Sequence, residues 1–455
     1  MITPTPTRDK RRYKRPLRAL LLATLSLLAV GGARADAQYR QVVVDADPAA
    51  RMVALAIRFP TGSTEDPRGE EGTAFLLGRI VERRGVEELA PYGSSVGVIT
   101  DSEEFLVLLV AEPSRWGQAL RQLERVLYQT STRAEDLNLH RAELSQVLRF
   151  EAGAPVRAFE RERVSFLLGR DHPSARPPLG TSDSIERIGI PELEAFRSTH
   201  IRPERAVVAV SGPVEEGELA ALLPGSGDNL VLERDQERAP PASLAAADTV
   251  LSAPRLSLHR ADSAPLRVPA ESPGPPAWMT GERRLLDRDL TSTWISVAFP
   301  FPLGTPDLLL DFLGHLIIED LTPSPPYPGL FEAHFVRTTV VGAPVLVVTA
   351  SVDPRSTSRW EGRLVMSLAD LAETPPDGPF FELARRRFRS VILLEHALPE
   401  KRAGWMARQV ASGLDPSSAL EIAIWSLERS AIGQAAAAAG PARTILMGPS
   451  AMMDR

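Results

Sequence analysis

The chain has 455 residues, 44% of them hydrophobic and 24% charged, with a formal net charge of −6 and no cysteine. This length exceeds one compact core and predicts two or more domains. The absence of cysteine excludes disulfides, a thiol nucleophile, thiolate metal ligands and a lipoprotein anchor. An acidic surface repels phosphate backbones, which argues against a nucleic-acid partner.

The first residues read as an export signal. "RDKRRYKRPLR" is a basic segment, "ALLLATLSLLAVGG" an apolar run too short to span a bilayer comfortably, and "ARADAQ" offers small residues at A-x-A spacing. This predicts a signal peptide over residues 1–37 and a periplasmic or secreted protein, with an uncleaved anchor as the alternative. Cleavage leaves 44 basic and 56 acidic residues, a net of −12. No later segment reaches roughly eighteen consecutive apolar residues, so no membrane span is expected after signal cleavage.

Alternating apolar residues predict strands at Val42–Val44 and Met52–Phe59, paired as a hairpin. A polar loop, "TGSTEDPRGEEG", leads to helical spacing over Ala74–Arg83. Residues 96–110 read as a strand pair. Residues 114–128, 134–151 and 156–168 read as helices, the first with Ser114 as N-cap. "RAVVAVSGPV" closes this part as a strand. Residues 216–280 are rich in Pro, Ala and Ser with little periodicity, and read as an interdomain connection.

The pattern then restarts. "STWISVAFPFPLG" is a strand, "TPDLLLDFLGHLIIEDL" a helix, "GAPVLVVTASVDP" a strand, 356–373 and 379–396 helices, and "ARTILMGPS" a closing strand. The second part echoes the first in element order. The expected divisions are 1–37, 38–215, 216–280 and 281–450.

Three stretches resemble the pitrilysin/insulinase family of zinc metallopeptidases. "VALAIRFPTGSTEDPRGEEGTAFLLGRIV" is similar to the family's strand followed by G-S-x-x-E/D-x-x-x-x-x-G-x-A-H-x-x-E-H. "DHPSARPPLGTSDSI" is similar to its HP-x-G-x-P-x-x-G segment, and "LEAFRSTHIRPERAVVAVSGPV" to its L-x-x-F-x-x-x-x-Y-x-P segment. The resemblance implies an α+β fold of two homologous halves, each a mixed sheet with helices on one face, meeting across a cleft.

The same alignment places Phe75 and Arg79 at the two histidines and Gly78 at the glutamate of H-x-x-E-H. In active relatives the imidazoles hold zinc and the glutamate takes a proton from the metal-bound water. Phenylalanine has no lone pair to donate, glycine cannot act as a base, and arginine repels a divalent ion. No zinc or other cofactor is therefore expected. The third ligand should come from the helix at 134–151, which offers Glu143 and Glu151 with His140 nearby.

Non-catalytic subunits of the family grip the substrate backbone with an Arg and a Tyr from their second half. Here "PGLFEAHFVRTTVVGAPV" places Phe335 and Gly342 at those positions, with Arg337 as a nearby substitute. Other candidates are weaker. His315 and Glu319 sit at i, i+4 and read as the polar edge of a helix. His172 reads as shaping a turn. Arg79 reads as solvated or paired with Glu71 or Glu82. The Pro-rich "TPSPPYPG" reads as a stiff loop. No nucleophile elbow or phosphate loop is present. The resemblance implies an inactive homologue that partners an active zinc peptidase of the same family and binds peptides. A stand-alone peptide-binding or assembly protein is the alternative, and an active metallopeptidase with a rebuilt site a third.

Overall fold

The computed structural model describes residues 39–450 except 170–171, 216–217, 219–220, 224–228, 234–280, 324–326, 341–342 and 412–423. The expected signal peptide at 1–37, most of the connection at 216–280, and Gly342 lie outside the described residues.

The first half contains β1 (Gln41–Ala46), β2 (Val53–Phe59), α1 (Thr73–Leu89), β3 (Ser95–Thr100), β4 (Phe105–Ala111), α2 (Trp116–Tyr128), α3 (Ala134–Ala152), α4 (Pro155–Leu168), α5 (Ser182–Arg187), α6 (Ile190–His200), β5 (Val207–Gly212) and β6 (Asn229–Glu233). The second contains β7 (Arg283–Asp287), β8 (Thr293–Pro300), α7 (Asp307–Leu321), β9 (Leu330–Val340), β10 (Ala343–Val352), α8 (Thr357–Glu373), α9 (Gly378–Glu395), α10 (Pro399–Ala411), α11 (Arg429–Ala437) and β11 (Arg443–Gly448).

Two mixed sheets result, ordered β3–β4–β2–β5–β1–β6 and β7–β11–β8–β10–β9. The expected β1–β2 hairpin does not form. β5, buried along its whole length, inserts between the two strands, parallel to β1 and antiparallel to β2. A strand with both faces apolar is best satisfied at the centre of a sheet. Ser114 is not the N-cap of α2 either. The amides of Arg115 and Trp116 both donate to the Glu112 carbonyl at 3.0 Å, so Ser114 lies inside a preceding turn and Arg115 takes the cap position.

Each sheet buries one face against helices of its own half. Leu55, Ile57 and Phe59 of β2 pack with Leu76, Leu77 and Ile80 of α1. Ile295, Val297 and Phe299 of β8 do the same with α7. The other face of each sheet is covered by a helix from the opposite half. Ala403, Met406, Ala407 and Val410 of α10, at i, i+3, i+4 and i+7, lie on Val43, Ala54, Ala56, Val207 and Ala209 of the first sheet. Alanines on both sides bring this helix close to the strands. Reciprocally, Phe159, Phe166 and Leu167 of α4 cover Ile445, Met447, Ala298, Val345 and Val347 of the second sheet.

Ion pairs to buried carboxylates fix this exchange. Arg402 of α10 grips Asp45 of β1, whose side chain is fully buried, with Nη2 at 3.1 Å from Oδ1. Arg408 donates to Glu104 Oε1 at 2.7 Å, and Arg58 to Glu104 Oε2 at 2.8 Å. On the other side Arg443 lies 4.4 Å from the Phe166 ring and donates to the Leu167 carbonyl at 3.2 Å. Separating the halves would strip a helix from each sheet.

His396 packs against Trp405 beside this interface, ring centroids 5.1 Å apart and the planes tilted by 47°. Burial, and then the Arg402 guanidinium, lower its pKa to about 4. The unfolded chain therefore takes up the imidazole proton at higher pH than the folded one. Wild type is expected to lose stability relative to His396→Gln as pH falls from the ordinary histidine range to about 4, with no further divergence below. Denaturant melts of both proteins across that window check this.

Candidate functional site

Helix α1 begins where the resemblance places the metal motif. Gly72 caps it at φ +100, and a Cβ there would lie 2.9 Å from the Leu179 carbonyl oxygen, so glycine is required. Asp66, almost fully buried, receives the Gly72 amide at 2.7 Å and the Ala74 amide at 2.9 Å. Burial lifts its carboxyl to about 7, against the pull of both amides.

Phe75, Gly78 and Arg79 share one face of the helix at i, i+3 and i+4. Phe75 is half-buried against the first core. Gly78 is buried: a Cβ there would come within 2.6 Å of Thr100 Oγ1 and 3.3 Å of Val98 Cγ1. The strand has closed over the place where a catalytic carboxylate would project. Arg79 pairs with Glu82, and Glu82 Oε1 accepts from the Val98 amide at 3.4 Å. Glu71, the other candidate partner, instead accepts from the Gly69 amide at 3.0 Å.

The expected third ligand is not brought to this face. Glu143 pairs with buried His140 at 2.8 Å, and Glu151 with Arg157 at 3.1 Å. α3 meets α1 through Asp136, which approaches Arg84 at 3.7 Å. Among the described residues no group of three His, Asp or Glu side chains could hold a metal ion. Ring, bare backbone and guanidinium on α1 do not fit zinc.

The second half is similarly closed. The Phe335 ring of β9 abuts Gly314 of α7, where a Cβ would meet it at 2.4 Å. Arg337 is held by Asp307 at 2.8 Å and Asp311 at 3.0 Å, so the proposed substitute is tied to α7. His315 stacks on Phe312, with Nε2 3.4 Å from Glu319, and burial lowers its pKa. Arg387 also reaches Glu319, at 3.2 Å, which fits a helix edge better than a ligand pair. His172 Nδ1 accepts from the Ser174 amide at 3.2 Å and shapes its turn as expected. The sequence reading missed Asp66, Asp45 and Glu104. Each sits among other acidic residues, with nothing to single it out, and its partner lies far along the chain or on a backbone amide.

No family model matches the chain. It is 25% identical over 232 residues to an uncharacterized zinc protease of Mycobacterium leprae (strain TN), covering 49% of this chain and 51% of that one. The chain thus spans about half the length of the curated relatives it matches. A crystal structure of a peptidase M16 inactive domain from Pseudomonas fluorescens superposes with TM-score 0.70 at 15% identity, over 91% of this chain and 97% of that one. A chain of complex III2 from Candida albicans, bound to Inz-5, superposes with TM-score 0.64 at 14% identity, over 90% and 93%.

The two-halved sheet-and-helix architecture is that of M16 peptidases. In fold the chain is similar to that inactive domain, and about half of it is similar in sequence to a protein named a zinc protease.

Proposed function

We propose that this chain is a catalytically inactive, exported peptidase homologue. It serves as the non-catalytic partner of an active zinc peptidase of the same family and contributes surface for peptides. The observation that supports this reading is the face of α1. Phe75, Gly78 and Arg79 occupy the aligned motif positions, and the space above Gly78 is filled by Thr100 and Val98. Neither a metal nor a general base has a place there. Two superposed neighbours also bear on it, the peptidase M16 inactive domain and the chain of complex III2.

The partner is tested by affinity capture from the native cell envelope. The reading expects stoichiometric recovery of a homologue that carries H-x-x-E-H, and faster peptide hydrolysis by that homologue when this chain is added. Recovery of the chain alone, with no effect on any such homologue, would favour the stand-alone binding protein instead.

A further inference from the structure

A cavity of about 790 Å³ lies between the halves, within the size range of ligand sites. None of its lining residues belongs to α1, so it is separate from the closed motif face. Its floor is Val336 and Thr338 of β9, the edge strand of the second sheet. Helix α4 packs on Ala298, Val345 and Val347 of the neighbouring strands β8 and β10, leaving Val336 45% exposed.

One wall is α4 itself, with Val164, Leu167 and Leu168. The facing wall is the loop 174–182. That loop is held in place: Arg176 Nη1 donates to the Asp66 carbonyl at 2.9 Å, and Gly180 sits at φ +74. A Cβ at Gly180 would come within 2.0 Å of the Glu71 carbonyl oxygen.

Charge is the second feature. Arg157, Arg161, Arg163 and Arg176 line the cavity against Glu151, Glu160 and Asp101. Arg157 is paired with Glu151, and Arg163 with Glu160. Asp101 Oδ1 accepts the amides of Glu103 and Glu104 at 2.8 and 2.7 Å. Arg161 is exposed and has no carboxylate partner among the described residues, and Arg176 binds a carbonyl. Arg161 therefore remains without a carboxylate among the described residues, while Arg176 acts on the Asp66 carboxyl as well as its carbonyl, in a chain whose net charge is −6.

We propose that this cavity binds an extended peptide segment whose acidic side chains alternate with apolar ones. The open edge of β9 supplies backbone hydrogen bonds, the α4 and loop walls take alternate apolar side chains, and Arg161 takes a carboxylate. The proposal rests on the reading above only in taking peptides as the ligand class. Its test uses this chain alone, so its failure would leave the partner question untouched.

The probe is a nonapeptide of alternating Glu and Leu, titrated calorimetrically against the full chain, with the Lys/Leu counterpart as control. The Glu peptide binds saturably and the Lys peptide at least about tenfold more weakly. Arg161→Glu weakens the Glu peptide about tenfold, and added salt weakens it in wild type. Val336→Trp, which fills the floor from an exposed position, abolishes binding. Equal binding of both peptides, no saturable binding of the Glu peptide, or unchanged binding by both variants would overturn the proposal.

Discussion

Arg402→Met is expected to destabilise the protein by about 3 kcal/mol, the scale for breaking a buried ion pair from one side. The Asp45 carboxylate has no solvent exposure. Without Arg402 it keeps the Ser211 hydroxyl at 3.0 Å but loses both hydrogen bonds from that guanidinium. Methionine retains the apolar stem of the arginine, so the loss reports the charge rather than packing. Because the pair joins α10 to β1 across the halves, limited proteolysis should also find earlier cleavage around α10. Equilibrium denaturation of wild type and variant checks this. A change under about 0.5 kcal/mol, typical of surface substitutions, would mean that the pair does not hold the exchanged helix.

Rebuilding the motif is expected to fail. The combined variant Phe75→His, Gly78→Glu, Arg79→His restores the letters but not the site. A side chain at position 78 must displace Thr100 and Val98, overpacking that costs about 1–3 kcal/mol before the burial of a carboxylate is added. The third carboxylate is still missing, since Glu143 and Glu151 are engaged with His140 and Arg157. The variant should melt well below wild type and bind no stoichiometric zinc. Tight zinc binding with unchanged stability would show that the β3 side of α1 is still an open metal site. Truncating Thr100 to alanine in the same background separates the two obstacles. It should recover part of the stability and still yield no metal site.

Much of the architecture is legible in the sequence because periodicity is local. Helices α1, α2, α3, α4, α7, α8 and α9 and strands β3, β4, β8, β10 and β11 fall where apolar spacing puts them. Pairing is not local. The run "RAVVAVSGPV" announces a strand but not that it separates β1 from β2, because both of its neighbours lie far along the chain. The exchange of α4 and α10 is hidden for the same reason. Ala403, Met406, Ala407 and Val410 mark an amphipathic helix, yet nothing in their spacing says that the covered sheet belongs to the other half. Strand β9 is legible in the sequence only as a motif segment. Its alternation runs through Glu332, Ala333, His334 and Phe335 but reverses at Val336 and Arg337, where the apolar side chain faces out and the charged one in.

At the candidate site the sequence states the chemistry and the structure adds the sterics. Phe75, Gly78 and Arg79 can be read directly as unfit for zinc. That Thr100 and Val98 now fill the space above Gly78, and that Arg79 is paired with a glutamate facing the β3 edge, depends on contacts between α1 and a hairpin some twenty residues later.

Elemental analysis of the purified full-length chain, dialysed against micromolar zinc, puts the heart of this interpretation to the test. Metal well below one equivalent is expected, together with a peptide turnover no greater than buffer. One zinc per chain, accompanied by cleavage that a chelator stops, would contradict it.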